Sequence, residues 1–238
     1  MAAFLLASEA GTGILCAEAS MGPYLNWLIH SEAGLWVRIG IGAAIFAFLA
    51  VVDWRRNGRA ARRWREYLFL LACVGIALAY GAINDQLTVG ISWEYFYYGK
   101  GLDHVMGGQT PPPQWPLRWE AAKVGLKATW SAGLLLGVAM LMANNPRKDR
   151  PALAFGRLFG LMPWMLAVTV ATAATFGCLG HYGLLNWLSE DLAAIWHEGL
   201  FRPARFMTVY GIHLGGYVGG ALATVWAVIA IRRGSSLI

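Results

Sequence analysis

Apolar residues fall in five long runs, roughly 34–52, 67–83, 123–142, 158–179 and 207–231, and polar residues gather between them. Each run is near the ~20 residues that carry a helix across ~30 Å of hydrocarbon. Lipid offers a backbone no hydrogen-bond partner, so each run predicts a helix. The pattern predicts an all-α integral membrane bundle of about five transmembrane helices, one domain over residues 1–238. Lys123 and Lys127 begin the third run and are placed to snorkel. Pro163 predicts a kink in the fourth. Residues 1–33 start apolar without a basic segment and break at Ser8 and Glu9. They predict a partly interfacial, uncleaved N-terminus rather than a signal peptide, with His30 and Glu32 near the first span.

Two segments between runs, about 86–120 and 181–206, are long enough to cap one face of the bundle. In the first, Ser92 is placed to cap a short helical turn holding Glu94 and its aromatic neighbours. The prolines at 111, 112 and 113 then stiffen the chain. In the second, Ser189, Glu190 and Asp191 mark a helix start. Leu188, Leu192, Ile195 and Trp196 follow at helical spacing, as in a helix lying in the interface. Trp93, Trp115, Trp119, Trp187 and Trp196 fall where an aromatic belt belongs.

Composition strengthens the membrane assignment: 13 % of residues are charged, against about 25 % in soluble domains. The net charge of +6 matters less than its placement. Arg55, Arg56, Arg59, Arg62, Arg63 and Arg65 lie between the first two runs. Arg147, Lys148, Arg150 and Arg157 lie between the third and fourth, and Arg232 and Arg233 follow the fifth. A five-span chain puts all of them on one side, which the positive-inside rule makes cytoplasmic. The expected location is a bacterial inner membrane, with the N-terminus outside and the C-terminus in the cytoplasm. The arginines thus read as a topology signal, with no nucleic-acid partner. Cys16, Cys73 and Cys178 form no CxxC and predict neither a disulfide framework nor a zinc knuckle.

The same topology collects histidine and carboxylate on the outer face. The second run ends at Asn84-Asp85-Gln86, where Asp85 would meet the negative end of its helix dipole and need a partner. Glu94 sits among Trp93, Tyr95, Phe96, Tyr97 and Tyr98, where an unpaired charge is costly. His213 lies about two turns into the last run, in one stripe with Tyr210 and Tyr217, and an ionisable group inside a span marks a functional site by default. His104 and His181 lie on the outer segments. Asp85, Glu94, His213, His104 and His181 make an oxygen-and-imidazole set suited to zinc, iron, manganese or copper. Asn84, Gln86, Tyr95 and Tyr217 would orient those ligands. No HExxH, ExxH or HxxxH spacing supports the set, and only His213 sits within a span, which argues against a two-histidine haem. Walker, GxGxxG and GxSxG motifs are absent. A transport path has one polar stripe, Thr169, Thr172 and Thr175, and threonines there bond back to their own helix. Gly211, Gly215 and Gly219, with Gly216 and Gly220, give helix 207–231 two rows that let another helix approach closely. That helix would be one of this chain, of a second copy, or of another membrane subunit.

The stretches YGAINDQLTVGISWEYF and FMTVYGIHLGGYVGGALATVWAVIAIRR resemble a pattern in bacterial, planctomycete-type multi-pass membrane proteins. The matching positions are Tyr80, Gly81, Asp85, Gln86, Thr88, Glu94, Tyr95, Phe96, His213 and Tyr217. One position departs: Asn84 stands where that pattern has a histidine before Asp-Gln. The resemblance implies functional positions and carries no reaction. Two functions follow as expectations. One is an outer-face site that binds a metal ion and supports a metal-dependent membrane reaction. The other is a non-enzymatic structural or accessory subunit of a larger membrane complex.

Overall fold

The computed structural model of the protein describes residues 31–58, 61, 63–146, 151–188 and 202–234. These residues are helical, with no strand among them: α1 (Glu32–Asn57), α2 (Arg63–Ile91), the short α3 (Trp93–Tyr97), α4 (Gln114–Ala143), α5 (Phe155–His181) and α6 (Pro203–Arg233), plus a 3-10 turn at Asn186–Leu188. Five of the helices are long and apolar enough to cross a membrane. The protein is therefore a multi-pass membrane protein, as the five apolar runs predict.

The helices overrun the apolar runs, most clearly in α2. The chain does not leave the helix at Asn84-Asp85-Gln86, because α2 continues to Ile91. Thr88 donates its hydroxyl to the Asn84 carbonyl at 2.8 Å, and the Ser92 N–H reaches the Thr88 carbonyl at 3.0 Å. Polar side chains break a helix when they compete for their own backbone. Gln86 instead donates its amide to the Arg118 carbonyl on α4 at 2.7 Å, so the helix has no reason to stop. The first capping segment shrinks accordingly to residues 92–113. In the second, α5 extends to His181 and α6 begins at Pro203, where proline costs the helix no donor. The interfacial helix expected from Ser189 through Trp196 lies outside the described residues, with Glu190, Asp191 and His197. So do Cys16, His30, Arg59, Arg62, Arg147, Lys148 and Arg150. Pro163 lies inside α5, which remains one helix.

The chain divides into two compact units, Met1–Tyr67 and Leu68–Ile238. In the first, Ser31 caps α1 by accepting the Gly34 N–H at 2.9 Å. Asp53 accepts from Asn57 at 2.7 Å and from the Arg63 N–H at 2.9 Å, tying the end of α1 to the start of α2. Phe46 stacks on Tyr67 with ring centroids 5.4 Å apart.

In the second unit, glycines let helices meet backbone to backbone. A Cβ on Gly211 would collide with the Phe176 carbonyl oxygen, one on Gly215 would lie 2.5 Å from the Thr172 carbonyl oxygen, and one on Gly219 would lie 2.9 Å from the Thr169 Cα. This row of α6 is therefore seated on α5. Gly81 of α2 and Gly125 of α4 touch in the same way, and a Cβ on Gly133 would lie 2.8 Å from the Cys73 carbonyl oxygen. Asn144 holds the α4–α5 connection, donating to the Leu153 carbonyl at 3.1 Å and accepting the Leu153 N–H at 2.7 Å. The apolar core is split between the two ends. One cluster holds Phe69, Met140, Leu158 and Ile231, and the other holds Phe96, Leu117, Phe206 and Val209.

Candidate functional site

A cavity of about 590 Å³ lies among α2, α4, α5 and α6. It falls within the ~300–1,000 Å³ typical of ligand pockets. It exists because its walls carry little side chain: Ala77, Gly81, Ala128, Ala132, Gly216 and Gly220 line it. Cys73, Met162, Met165 and Ala223, all from the first core cluster, line it away from Asp85. Along α2 it reaches from Cys73 to Asp85, about 18 Å at 1.5 Å per residue. The polar lining concentrates at the Asp85 end: Tyr80, Asn84, Asp85, Lys100, His213 and Tyr217.

Asp85 is 2 % exposed and accepts a hydrogen bond from Asn84 at 3.3 Å. His213 Nε2 stands 3.6 Å from Asp85 Oδ1, beyond the usual reach of a hydrogen bond. That nitrogen is buried and has no hydrogen-bond partner. An orphan of this kind calls for an explanation, such as a bound molecule. Asp85 lies inside α2, so the dipole argument expected for it does not apply, because that effect is confined to a helix's last turn. What makes the site demanding is burial beside an apolar cavity.

The imidazole is held by α3. Tyr95 stacks on it with centroids 4.9 Å apart and planes 17° apart. Phe96 meets it edge-on at 6.0 Å, and Tyr95 is itself braced by Phe206 at 5.4 Å. Ser92 caps α3 as expected, accepting the Tyr95 N–H at 3.3 Å. Burial raises the Tyr95 phenol above the ordinary tyrosine value, so it stays a neutral ring. Lys100, on the turn after α3, lines the cavity and holds its ammonium 5.3 Å from the Tyr95 ring. The residue is exposed overall. The protein mass around the ammonium nevertheless lowers its pKa below the ordinary lysine value, while the Asp85 carboxylate works in the other direction.

The structure thus brings Asp85 and His213 together, with Asn84, Tyr95 and Tyr217 around them. It gives the other expected site residues different neighbours. Glu94, buried, accepts the backbone N–H of Arg202 at 3.2 Å and so anchors α3 to the start of α6. Gln86 exchanges bonds with Arg118, which donates to the Gln86 carbonyl at 3.1 Å. His104 has an 87 % exposed side chain 3.8 Å from Asp103. His181 Nδ1 lies 3.1 Å from the Thr208 hydroxyl. Among the described residues, no group of three or more His, Cys, Asp and Glu is placed to hold a metal ion. Thr169, Thr172 and Thr175 bond back to carbonyls four residues earlier at 2.8, 2.8 and 2.9 Å, as expected.

Sequence reasoning passed over Lys100. Its one signal is that it is the single lysine or arginine between Ser92 and Pro113, set in an aromatic stretch. The cavity itself had no linear signal beyond alanine and glycine scattered over three helices. No family model, curated protein or solved structure matches the chain.

Proposed function

We propose that this membrane protein binds an amphipathic, membrane-soluble molecule. Its apolar body would lie among α2, α4, α5 and α6, and its polar head against Asp85, His213 and Lys100. One observation carries this: a cavity of about 590 Å³, apolar along its length, ends at a buried carboxylate beside an unpartnered imidazole nitrogen. Lys100 offers donors, Asp85 offers acceptors, and His213 Nε2 offers either, according to its tautomer. The head that fits carries a carbonyl or hydroxyl on an isoprenoid or acyl chain. A carboxylate and an imidazole side by side also form an acid–base pair for proton transfer at such a head. Of the ten positions shared with the planctomycete-type pattern, Tyr80, Gly81, Asp85, Tyr95, Phe96, His213 and Tyr217 wall or hold this end of the cavity, while Gln86, Thr88 and Glu94 do not line it. The arginine-bearing helix ends would face the cytoplasm of a bacterial inner membrane and the Asp85–His213 end would face outward.

A metal ion is the second proposal, and the free Nε2 near a carboxylate oxygen favours it. Asp85 and His213 would then be two ligands for zinc, iron, manganese or copper, with the bound molecule or water completing the shell. An accessory-subunit role through α6 has less support. One glycine row of α6 is seated on α5 and the other lines the cavity.

The test is mass spectrometry of organic extracts, with elemental analysis, of protein purified in mild detergent. Gly220→Leu fills the cavity, since a Cβ there meets nothing within 4 Å. We expect a lipid near one per chain in the wild type and at least tenfold less in folded Gly220→Leu. An equal lipid complement in both would overturn the lipid proposal. A metal near one per chain, lost in His213→Ala, would establish the second one.

A further inference from the structure

A second cavity, of about 280 Å³, opens at the opposite end of the second unit, between the start of α5 and the end of α6. It shares no lining residue with the first and does not depend on what binds there. Its lining is apolar along Gly160, Leu161, Trp226 and Ile229, and it carries two cations, Arg157 and Arg233. A Cβ on Gly160 would meet nothing within 4 Å, so the groove is open there. Both arginines are exposed, and neither guanidinium forms a hydrogen bond or ion pair with another described residue. The α5 N-terminus adds to the positive field, because its cap residue, Ala154, supplies no side-chain acceptor. At the end of α6 the last carbonyls are already capped, with the Gly234 N–H on Ala230 and Ile231, which reduces their repulsion of an anion.

An apolar slot running into two guanidinium groups matches one class of molecule. The slot lies along the terminal two turns of two helices long and apolar enough to cross a membrane, and the ends of such helices stand at the depth of headgroups and first methylenes. Basic pockets between spanning helices bind anionic headgroups, and guanidinium pairs phosphate oxygens in a fixed fork. We infer that this groove is a site for an anionic phospholipid, with the phosphate between Arg157 and Arg233 and one acyl chain along Gly160, Leu161, Trp226 and Ile229. The lipid is a structural or regulatory ligand bound from the leaflet that the arginines face.

Native mass spectrometry of the full chain, released from micelles containing equal dioleoyl phosphatidylglycerol and dioleoyl phosphatidylcholine, tests this. One phosphatidylglycerol per chain is expected to stay bound in preference to phosphatidylcholine. Arg157→Gln with Arg233→Gln is expected to weaken retention about thirtyfold. Arg232→Gln, outside the groove, is expected to change it less than about twofold. Gly160→Leu blocks the acyl slot and leaves both charges, so it is also expected to release the lipid. It decides the matter if the double variant fails to fold. Equal retention of both lipids, equal loss in Arg232→Gln, or undiminished retention in Gly160→Leu would each overturn the assignment. Inorganic phosphate that displaces the lipid as effectively as free phosphatidylglycerol would make it a site for a free anion and would overturn it too.

Discussion

The two glycine rows of α6 have the same spacing and opposite uses. Gly211, Gly215 and Gly219 lie against the backbone of α5 at Phe176, Thr172 and Thr169. Gly216 and Gly220 line the large cavity, and a Cβ on Gly220 has open space around it. The difference lies in the facing helices. α5 brings its backbone up to the first row, so small residue meets backbone and the gap closes. Opposite the second row, the Tyr80 hydroxyl of α2 comes within 3.1 Å of where a Cβ on Gly216 would stand, while nothing reaches Gly220, where α2 and α4 line the cavity with short residues such as Ala77, Ala128 and Ala132. A small-residue spacing says only that side chains are missing along a stripe. Whether a helix or a ligand takes the space depends on what stands opposite.

The comparison predicts a graded series. Gly211→Leu is expected to have the largest effect, because its Cβ collides with a carbonyl that cannot rotate away. We expect at least ~3 kcal/mol of destabilisation or no folded protein, measured by thermal unfolding in detergent. Glu94→Ala should come next. It leaves the Arg202 N–H without its carboxylate and loosens the start of α6, for about 1–3 kcal/mol in the same assay. If Glu94 were a ligand of the Asp85–His213 site instead of an anchor, Glu94→Ala would remove the bound molecule or metal with unfolding unchanged. Gly220→Leu is expected to shift stability by less than ~1 kcal/mol, as a surface-like site does, while emptying the cavity. A Gly220→Leu protein as unstable as Gly211→Leu would erase the distinction between the rows. Lys100→Gln should be smallest in stability, about 0.5–1 kcal/mol for the lost cation–π contact with Tyr95. Its stronger effect is expected on retention of the head group, read by mass spectrometry of the extract.

Much of the architecture could be read from the chain, and specific residues show where that stopped. The five spans and the cap at Ser92 rest on local rules: run length, and a hydroxyl in reach of an N–H three residues on. The end of α2 did not follow from local rules. Asn84-Asp85-Gln86 looks like a helix exit when read alone, and only the Arg118 backbone on α4 gives Gln86 a partner that lets the helix continue. Glu94 and His213 were both conspicuous for polarity in apolar surroundings, yet that signal does not separate an anchor from a cavity residue. Glu94 turned to a backbone N–H, and His213 turned its Nε2 toward Asp85.

By itself the sequence determined that the protein is helical, that five segments are fit to cross a membrane, and that basic residues gather at one set of helix ends. These follow from how long and how apolar each segment is, quantities that do not depend on the rest of the fold. The tertiary structure alone decided that Asp85 meets His213, that Lys100 joins them, that one glycine row is closed and the other opens at Gly220, and that Arg157 and Arg233 share a groove. Each of those facts joins residues far apart in the chain. Packing sets them by filling space where side chains interlock and leaving it empty where alanine and glycine face one another.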